Sequence, residues 1–353
     1  MIRSPGTQDC RRARLPARRI AWCAGLPARS GVRSRNGVTR LKGLEISKAF
    51  YNEYGKPMLA ERFPEMVPYL AAGLIGSGSE CLGYDDEVSR DHDFEPGFCI
   101  FLPGEDVVDR KAAFALERAY ASLPKEFMGL RRAVVSPVGG ARHGVIRTAD
   151  FLMDKTGTRD GDPAAIEWLS LPDYSLAEAV NGEIFEDRYG EITAARERLR
   201  HRPADVRFKK LAGNLLLMAQ SGQYNYQRCL RHGETGAAQL AVVEFVKSAM
   251  AVTFLLNDTY QPYYKWSFRA MRDLQRLPLT AELMEYLLTT DNEEGTCGEK
   301  YDVMEGIAAD VIGELQAQGI TQAVCGDLEK HAYSVNDRIA DAQIRNLHIL
   351  AAV

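Results

Sequence analysis

The sequence predicts an α+β protein in which a small mixed-sheet domain is followed by an all-α helical bundle. Three observations carry this expectation. From residue 43 to residue 200, short apolar runs of strand length alternate with stretches of helical period. The composition then shifts at HRPADV, His201 to Val206. Beyond it nearly every apolar residue recurs at helical spacing, as antiparallel helices packed in a bundle require. The expected division is an Arg-rich disordered extension (1–42), the mixed α/β domain (43–200) and the bundle (201–353).

The extension holds eleven Arg or Lys against one acid, Asp9. Its net charge of +10 leaves the rest of the chain at −14 within an overall −4. Dense in Arg, Pro, Gly and Ser and without apolar periodicity, it should not fold alone. Three readings compete: an organelle transit peptide, although clear amphipathicity is lacking; a basic nucleic-acid-binding tail; or an extension translated upstream of the true start.

From Leu44, apolar residues Ile46, Phe50, Tyr54, Met58 and Phe63 follow a helical spacing interrupted by Gly55-Lys56-Pro57. YLAAGLI (Tyr69 to Ile75) reads as a short buried strand, and FCIFL (Phe98 to Leu102) as a second, after the break Glu95-Pro96-Gly97. Residues 106–121 fit an amphipathic helix that offers Val107, Ala112, Phe114, Leu116 and Tyr120 for burial. AVVSPVGGARHGVIRTADF suggests two strands joined near Gly139-Gly140. GEIFEDRYGEITAARERL reads as strand, turn and helix. In the second half, Phe208, Leu211, Leu215 and Met218 share a helical face. Leu240, Phe245, Ala249 and Val252 share another, as do Ile307, Val311 and Leu315, and also Ile339, Ile344, Leu347 and Leu350.

With 46% hydrophobic and 26% charged residues, the composition is that of a soluble globular protein. Seven scattered cysteines without a C-x-x-C, and six histidines without zinc spacing, suggest a reducing compartment and mostly buried thiols. The apolar stretch from Ala21 to Leu26 is broken by Pro27, and the run Ala249 to Leu256 is too short to span a bilayer. The expectation is a cytoplasmic protein with no membrane partner.

The stretch that carries chemistry is GLIGSGSECLGYDDEVSRDHDF, Gly73 to Phe94. An apolar strand ending in Gly76-Ser77 lets backbone N–H groups face a polyphosphate with no Cβ in the way, and the Ser77 hydroxyl adds a donor. After thirteen intervening residues, Asp91 and Asp93 stand one residue apart, so on an extended segment both carboxylates share a face. Adjacent carboxylates repel, and Mg²⁺ is the usual remedy, held by one or two carboxylates together with substrate phosphates. Either feature alone would be a structural turn or a charged surface; their order and spacing give the pattern its meaning.

This pattern resembles the signature of the polymerase-β-type nucleotidyltransferase superfamily: an apolar residue, Gly-[Gly/Ser], about ten residues, then Asp-x-Asp and an apolar residue. Gly76, Ser77, Asp91, Asp93 and Phe94 fall on its positions. The order of domains is similar to that of the antibiotic nucleotidyltransferases. GSGSECLGYDDEVSRDHDFEPGFC, LMAQSGQYNYQRCL and LNDTYQPYYKW resemble an uncharacterised bacterial nucleotidyltransferase-like family over about residues 43–353. The resemblance implies transfer of a nucleoside monophosphate from an NTP, ATP foremost, to a hydroxyl, with Mg²⁺ on Asp91 and Asp93 and the phosphates at Gly76 and Ser77. It also implies a third carboxylate. Asp150 in TADFL is the first candidate, with a first-turn helix acid as its rival reading; Glu183 and Asp187 follow. Two departures stand out: the loop before Asp91 is long and carries Glu80, Asp85, Asp86 and Glu87, and Pro96 interrupts the strand after Asp93.

In the second half, Tyr224, Tyr226, Tyr263, Tyr264 and Trp266 either stack on a base or ring-bearing acceptor or pack between helices. Lys265 and Arg228 are candidates to touch phosphate, and His232 reads as a surface residue. An acidic body with aromatic patches suits a cationic small-molecule acceptor better than long nucleic acid, whose phosphates want a basic groove. The alternatives are an acceptor on tRNA or protein, as in toxin–antitoxin systems, and a non-catalytic nucleotide- or partner-binding module.

Overall fold

The computed structural model describes residues 41–88, 95–132 and 143–353. The chain enters through helix α1 (Gly43–Phe50), whose first turn is capped from two directions. Glu45 accepts from the Lys42 backbone N–H at 2.8 Å, and Asp85 accepts from the Gly43 N–H at 3.0 Å. The expected interruption at Gly55-Lys56-Pro57 is absorbed without ending the helix. Tyr51–Gly55 widens into a π-turn and α2 (Lys56–Arg62) continues, with Pro57 in its first turn. The widened turn thus comes just before the one residue that cannot donate to the helical ladder.

Strand β1 (Ala71–Leu74) follows, then the short helix α3 (Ser79–Leu82), β2 (Cys99–Leu102) and α4 (Arg110–Ala121). Every residue of β1 and β2 is buried. Their side chains alternate between two cores, as a period of two demands. Ala72, Ile100 and Leu102 join the layer made with α1, α2 and α4, around Phe50, Phe98 and Leu116. Ala71, Cys99 and Phe101 face the other layer.

Helix α4 starts at residue 110, where Asp109 accepts from the Ala112 N–H at 2.7 Å, and not at residue 106 as the periodicity suggested. Leu116, Ala119 and Tyr120 are buried, but Phe114 is 60% exposed. Two residues are about 200° on a helix, so burying Leu116 turns Phe114 outward.

A tight hairpin follows, β3 (Glu126–Phe127) and β4 (Leu130–Arg131), turned by Met128 and Gly129, both at positive φ. The hairpin expected around Gly139-Gly140 falls largely outside the described residues. Its second half is β5 (Gly144–Arg147), which pairs in parallel with β2, Cys99 opposite Gly144 and Leu102 opposite Arg147. Helices α5 (Thr148–Thr156), α6 (Ala165–Trp168) and α7 (Asp173–Val180) lead to β6 (Glu183–Asp187), antiparallel to β1, and then to α8 (Glu191–Arg200). The sheet order is β5-β2-β1-β6. One edge strand, β5, is parallel to its neighbour and the other, β6, antiparallel; β6 carries three carboxylates on a half-exposed strand, which discourages pairing with another sheet.

Beyond residue 200 the described chain is helical: α9 (Ala204–Met218), a π-turn over Ala219–Asn225, α10 (Tyr226–Arg231), α11 (Thr235–Leu256), α12 (Tyr264–Arg272), α13 (Thr280–Thr289), α14 (Cys297–Ala317), α15 (Leu328–Asn336) and α16 (Ala342–Asn346). The fold is therefore mixed α+β, with a small sheet and a C-terminal helical region. Of the faces read from the sequence, Phe208, Leu347 and Leu350 are half-buried and Leu240 is 72% exposed, again two residues from a buried position, Val242; the other residues named are buried.

Helix α11 is long and apolar enough to cross a membrane by length and composition, which the eight-residue apolar run within it had not suggested. In the fold, 67% of its most apolar stretch is buried. It is apolar nearly all round because it is the central helix of its core. The seam near residue 200 is bridged by packing: Val206, Tyr260, Ile339, Ile344 and Ala352 share one core with Ala71, Ile75 and Cys99. Of the described thiols, Cys81 and Cys99 are buried, Cys229 and Cys297 half-buried, and Cys325 exposed.

Candidate functional site

β1 runs out at Leu74 into Ile75-Gly76-Ser77-Gly78, the turn picked out by the sequence. Gly76 lies at φ +106° and Gly78 at φ +134°, backbone that a residue with a Cβ rarely adopts. Gly76 is buried, whereas Ser77 is exposed. The Gly76 N–H is committed to a protein partner: it donates to Asn181 Oδ1 at 2.9 Å, and Asn181 Nδ2 donates to the Gly76 carbonyl at 2.8 Å. Any anion received here is met by later groups of the turn, not by that N–H.

A cavity of about 160 Å³ opens on the turn. Gly76, Ser77 and Gly78 form one wall, Tyr174, Glu178 and Asn181 of the α7 segment another, and Pro262, Tyr263 and Trp266 a third. It adjoins a larger cavity of about 790 Å³, which shares Leu82, Ala177, Asn181 and Pro262 with it and extends toward Arg200, Arg207, Asp258 and Asp273. Tyr174, Tyr263 and Tyr264 form an aromatic chain, with ring centroids 6.0 and 4.4 Å apart. The hydrogen bond to Tyr264 raises the Tyr263 phenol above its ordinary pKa.

Glu178 is paired with Lys155 at 2.8 Å, and Lys155 also meets Asp154 at 2.8 Å. Burial alone would lower the Lys155 ammonium, but these two carboxylates outweigh it and leave the pKa raised. The negative charge that Glu178 brings to the cavity wall is thus largely offset.

The other residues singled out by the sequence are spread more widely. Asp91, Asp93 and Phe94 lie outside the described residues. Asp150 sits in the first turn of α5, because β5 ends at Arg147; its carboxylate is exposed and accepts from Arg159 at 2.9 Å. Asp150 thus stands just beyond the strand, in the first turn of the following helix. Glu183 pairs with Lys48. Asp187 accepts from the Gly190 and Thr193 N–H groups at 2.7 and 3.1 Å, tying down the entry to α8. Lys265 is exposed, its ammonium 5.1 Å from the Trp266 ring centroid, and it does not line the cavity at the turn.

Among the aromatics, Tyr263 and Trp266 reach the turn. Tyr226 is instead fully buried, donating to Asn292 at 3.0 Å, and Tyr224 is a surface ring beneath Arg228. The loop after the turn is also less of a free connection than its length suggested. Asp85 is buried against α1, Tyr84 packs on Trp266 with centroids 5.7 Å apart, and Arg269 donates to the Tyr84 carbonyl at 2.8 Å. Burial, and then the nearby Asp273, raise the Tyr84 phenol. Among the described residues, no group of three or more His, Cys, Asp or Glu is arranged to hold a metal ion.

Tyr174, Glu178 and Asn181 went unrecognised in the sequence. The signal available was Asn181-Gly182, a dipeptide that marks a turn. It announces where α7 stops, though not what the Asn side chain reaches.

Fold and turn together define an α+β chain whose central strand ends in a glycine turn facing aromatic residues of a helical region. Residues 168–267, which include α7 and the Tyr263–Trp266 segment, match the family described as "Domain of unknown function (DUF4037)". No curated protein matches the chain. Among solved structures it is similar to a nucleotidyltransferase-like protein from Exiguobacterium sibiricum, at 13% identity over 78% of this chain and 77% of that one, with a TM-score of 0.32.

Proposed function

We propose that this protein is a Mg²⁺-dependent nucleotidyltransferase that moves a nucleoside monophosphate from an NTP, ATP foremost, to a hydroxyl of a small-molecule acceptor. The observation that carries this reading is the Gly76-Ser77 turn at the end of a buried strand, open to an aromatic-walled cavity and followed in the sequence by Asp91-His92-Asp93-Phe94. In this reading the acceptor oxygen attacks the α-phosphorus, the bond to the bridging oxygen breaks, and pyrophosphate leaves.

Ser77 and the backbone around it would hold the β- and γ-phosphates. Tyr263 and Trp266 would offer ring faces to the base or to a ring-bearing acceptor. Asp91 and Asp93, two carboxylates one residue apart in the sequence, would hold the ion. Bound there, Mg²⁺ would offset charge developing on the attacking and leaving oxygens. The hydroxyl proton needs a carboxylate to receive it. Asp150 would serve only once Arg159 releases it, and Lys265 would reach phosphate only by leaving the face of Trp266. The acidic balance of the chain beyond residue 42 favours a cationic acceptor.

The test is label transfer. Purified protein is incubated with each α-labelled NTP, Mg²⁺ and pools of small metabolites, RNA or protein. Transfer to a metabolite is expected, with a loss of about a hundredfold or more in the Asp91→Ala, Asp93→Ala double variant. A double variant as active as the wild type would refute the catalytic assignment. Label appearing on RNA or protein would replace the acceptor, and the absence of any NTP binding would remove the nucleotide reading altogether.

A further inference from the structure

The Asn181 carboxamide spends both of its polar atoms on one residue, Gly76, which is 105 positions away in sequence. One atom accepts from the Gly76 N–H and the other donates to the Gly76 carbonyl, so the peptide planes on both sides of Gly76 are held. The clamp itself is anchored. The Asn181 carbonyl accepts from Arg196, whose guanidinium also donates to the carbonyls of Ala179 at 3.1 Å and Val180 at 3.0 Å. Arg196 is buried there, and burial, with Arg200 adding to it, pulls its pKa down to about 10. The next residue holds the far side of the same turn: the Gly182 N–H donates to the Cys81 carbonyl of α3 at 2.9 Å. Asn181-Gly182 therefore grips the turn before Ser77 and after it, and Asn181 lines both cavities that meet there.

We propose that Asn181 is a positioning residue of the nucleotide site. By fixing the orientation of the Gly76 backbone it sets where Ser77 and the following N–H groups stand, and so controls affinity for the polyphosphate. This rests on the nucleotide reading above. Because Asn181 acts through Gly76 and not on the reacting atoms, its loss should appear in KM and binding, with kcat little changed.

The experiment compares wild type, Asn181→Asp and Asn181→Ser by titration with a fluorescent trinitrophenyl-ATP in the presence of Mg²⁺, by KM and kcat for ATP, and by hydrogen exchange of the Gly76 amide. The aspartate keeps an acceptor for the Gly76 N–H. It replaces the donor to the Gly76 carbonyl by a second acceptor, and brings a negative charge toward the phosphates. Nucleotide affinity should fall about tenfold or more for Asn181→Asp. Asn181→Ser, which keeps a hydroxyl, should fall in between, and the Gly76 amide should exchange faster in the serine variant.

Folded variants that bind nucleotide as tightly as wild type would overturn the proposal. If wild type binds no nucleotide, the reading of the site fails. The clamp is then judged on exchange alone, and an equally slow Gly76 amide in Asn181→Ser overturns it. If neither variant folds, the wild-type protein decides: a Gly76 amide that exchanges as fast as an unstructured glycine overturns the clamp, and a protected one that slows further with Mg–ATP supports it.

Discussion

Gly182 offers a direct test of how tightly the turn and the sheet are joined. It lies at φ +60° between α7 and β6, and a Cβ built on it would run into the Leu74 carbonyl oxygen, with Leu74 C at 3.0 Å and Ile75 Cα at 3.1 Å. These are backbone atoms of the last residue of β1 and of the residue after it, just before Gly76, and they cannot rotate away. Leu74 pairs with Glu183 and Gly73 with Ile184, so relief means opening the β1–β6 ladder.

The cost of Gly182→Ala is the sum of two parts. An L-residue in left-handed backbone costs about 1 kcal/mol. Losing one or two ladder bonds in a buried setting adds about 2–3 kcal/mol. Gly190→Ala isolates the first part: Gly190 has φ +83° and nothing within 4 Å of a Cβ. Urea unfolding followed by circular dichroism should therefore show Gly190→Ala down by about 1 kcal/mol and Gly182→Ala by about 3–4 kcal/mol. In melting temperature the latter amounts to a fall of roughly 4–6 °C. If the two variants were equally stable, within about 0.5 kcal/mol, the close approach of residue 182 to β1 would be wrong.

Two further outcomes follow from buried charge near the seam and in the helical region. Asp173 serves two buried cations, Arg202 at 2.6 Å and Lys210 at 3.3 Å, whose side chains are 2% and 9% exposed. Asp173→Ala should cost about 3–5 kcal/mol in denaturant unfolding, because both cations stay buried without a counter-charge; a loss below about 1 kcal/mol would mean the cluster is not closed to water. Lys300 is fully buried and donates to Gln239 at 3.0 Å and to the Thr290 carbonyl at 2.8 Å, and burial lowers its pKa. Between that lowered value and the unfolded value of about 10.4, the unfolded chain binds more protons, so this group makes stability rise with pH. Stability curves measured against pH should show the rise weakened in Lys300→Met, and the variant should be most favoured over wild type at neutral pH. An unchanged slope would show that the ammonium is not desolvated.

The central strands were legible because they are buried on both faces and so appear as continuous apolar runs. The glycine turn was legible because a positive φ demands Gly. Asp150 was not, because TADFL fits either the end of a strand or the first turn of a helix. Only pairing with β2, which runs through Arg147, decides between them. Phe114 and Leu240 were misread because a helical period names several possible faces, and the face that is buried is chosen by what packs against it.

For the candidate site, the sequence held the chemistry that lies close together along the chain: Gly76 and Ser77, and the Asp91-x-Asp93 pattern that follows them. It also held the aromatic cluster, without saying which rings belong to the turn. The tertiary structure brought Tyr263 and Trp266 to that turn, left Tyr224 at the surface beneath Arg228 and enclosed Tyr226. It also added Asn181, whose two hydrogen bonds span 105 residues. Local backbone preference is written in neighbouring residues and can be read there. A contact between distant segments is decided by the packing of the layers, and no local pattern records it.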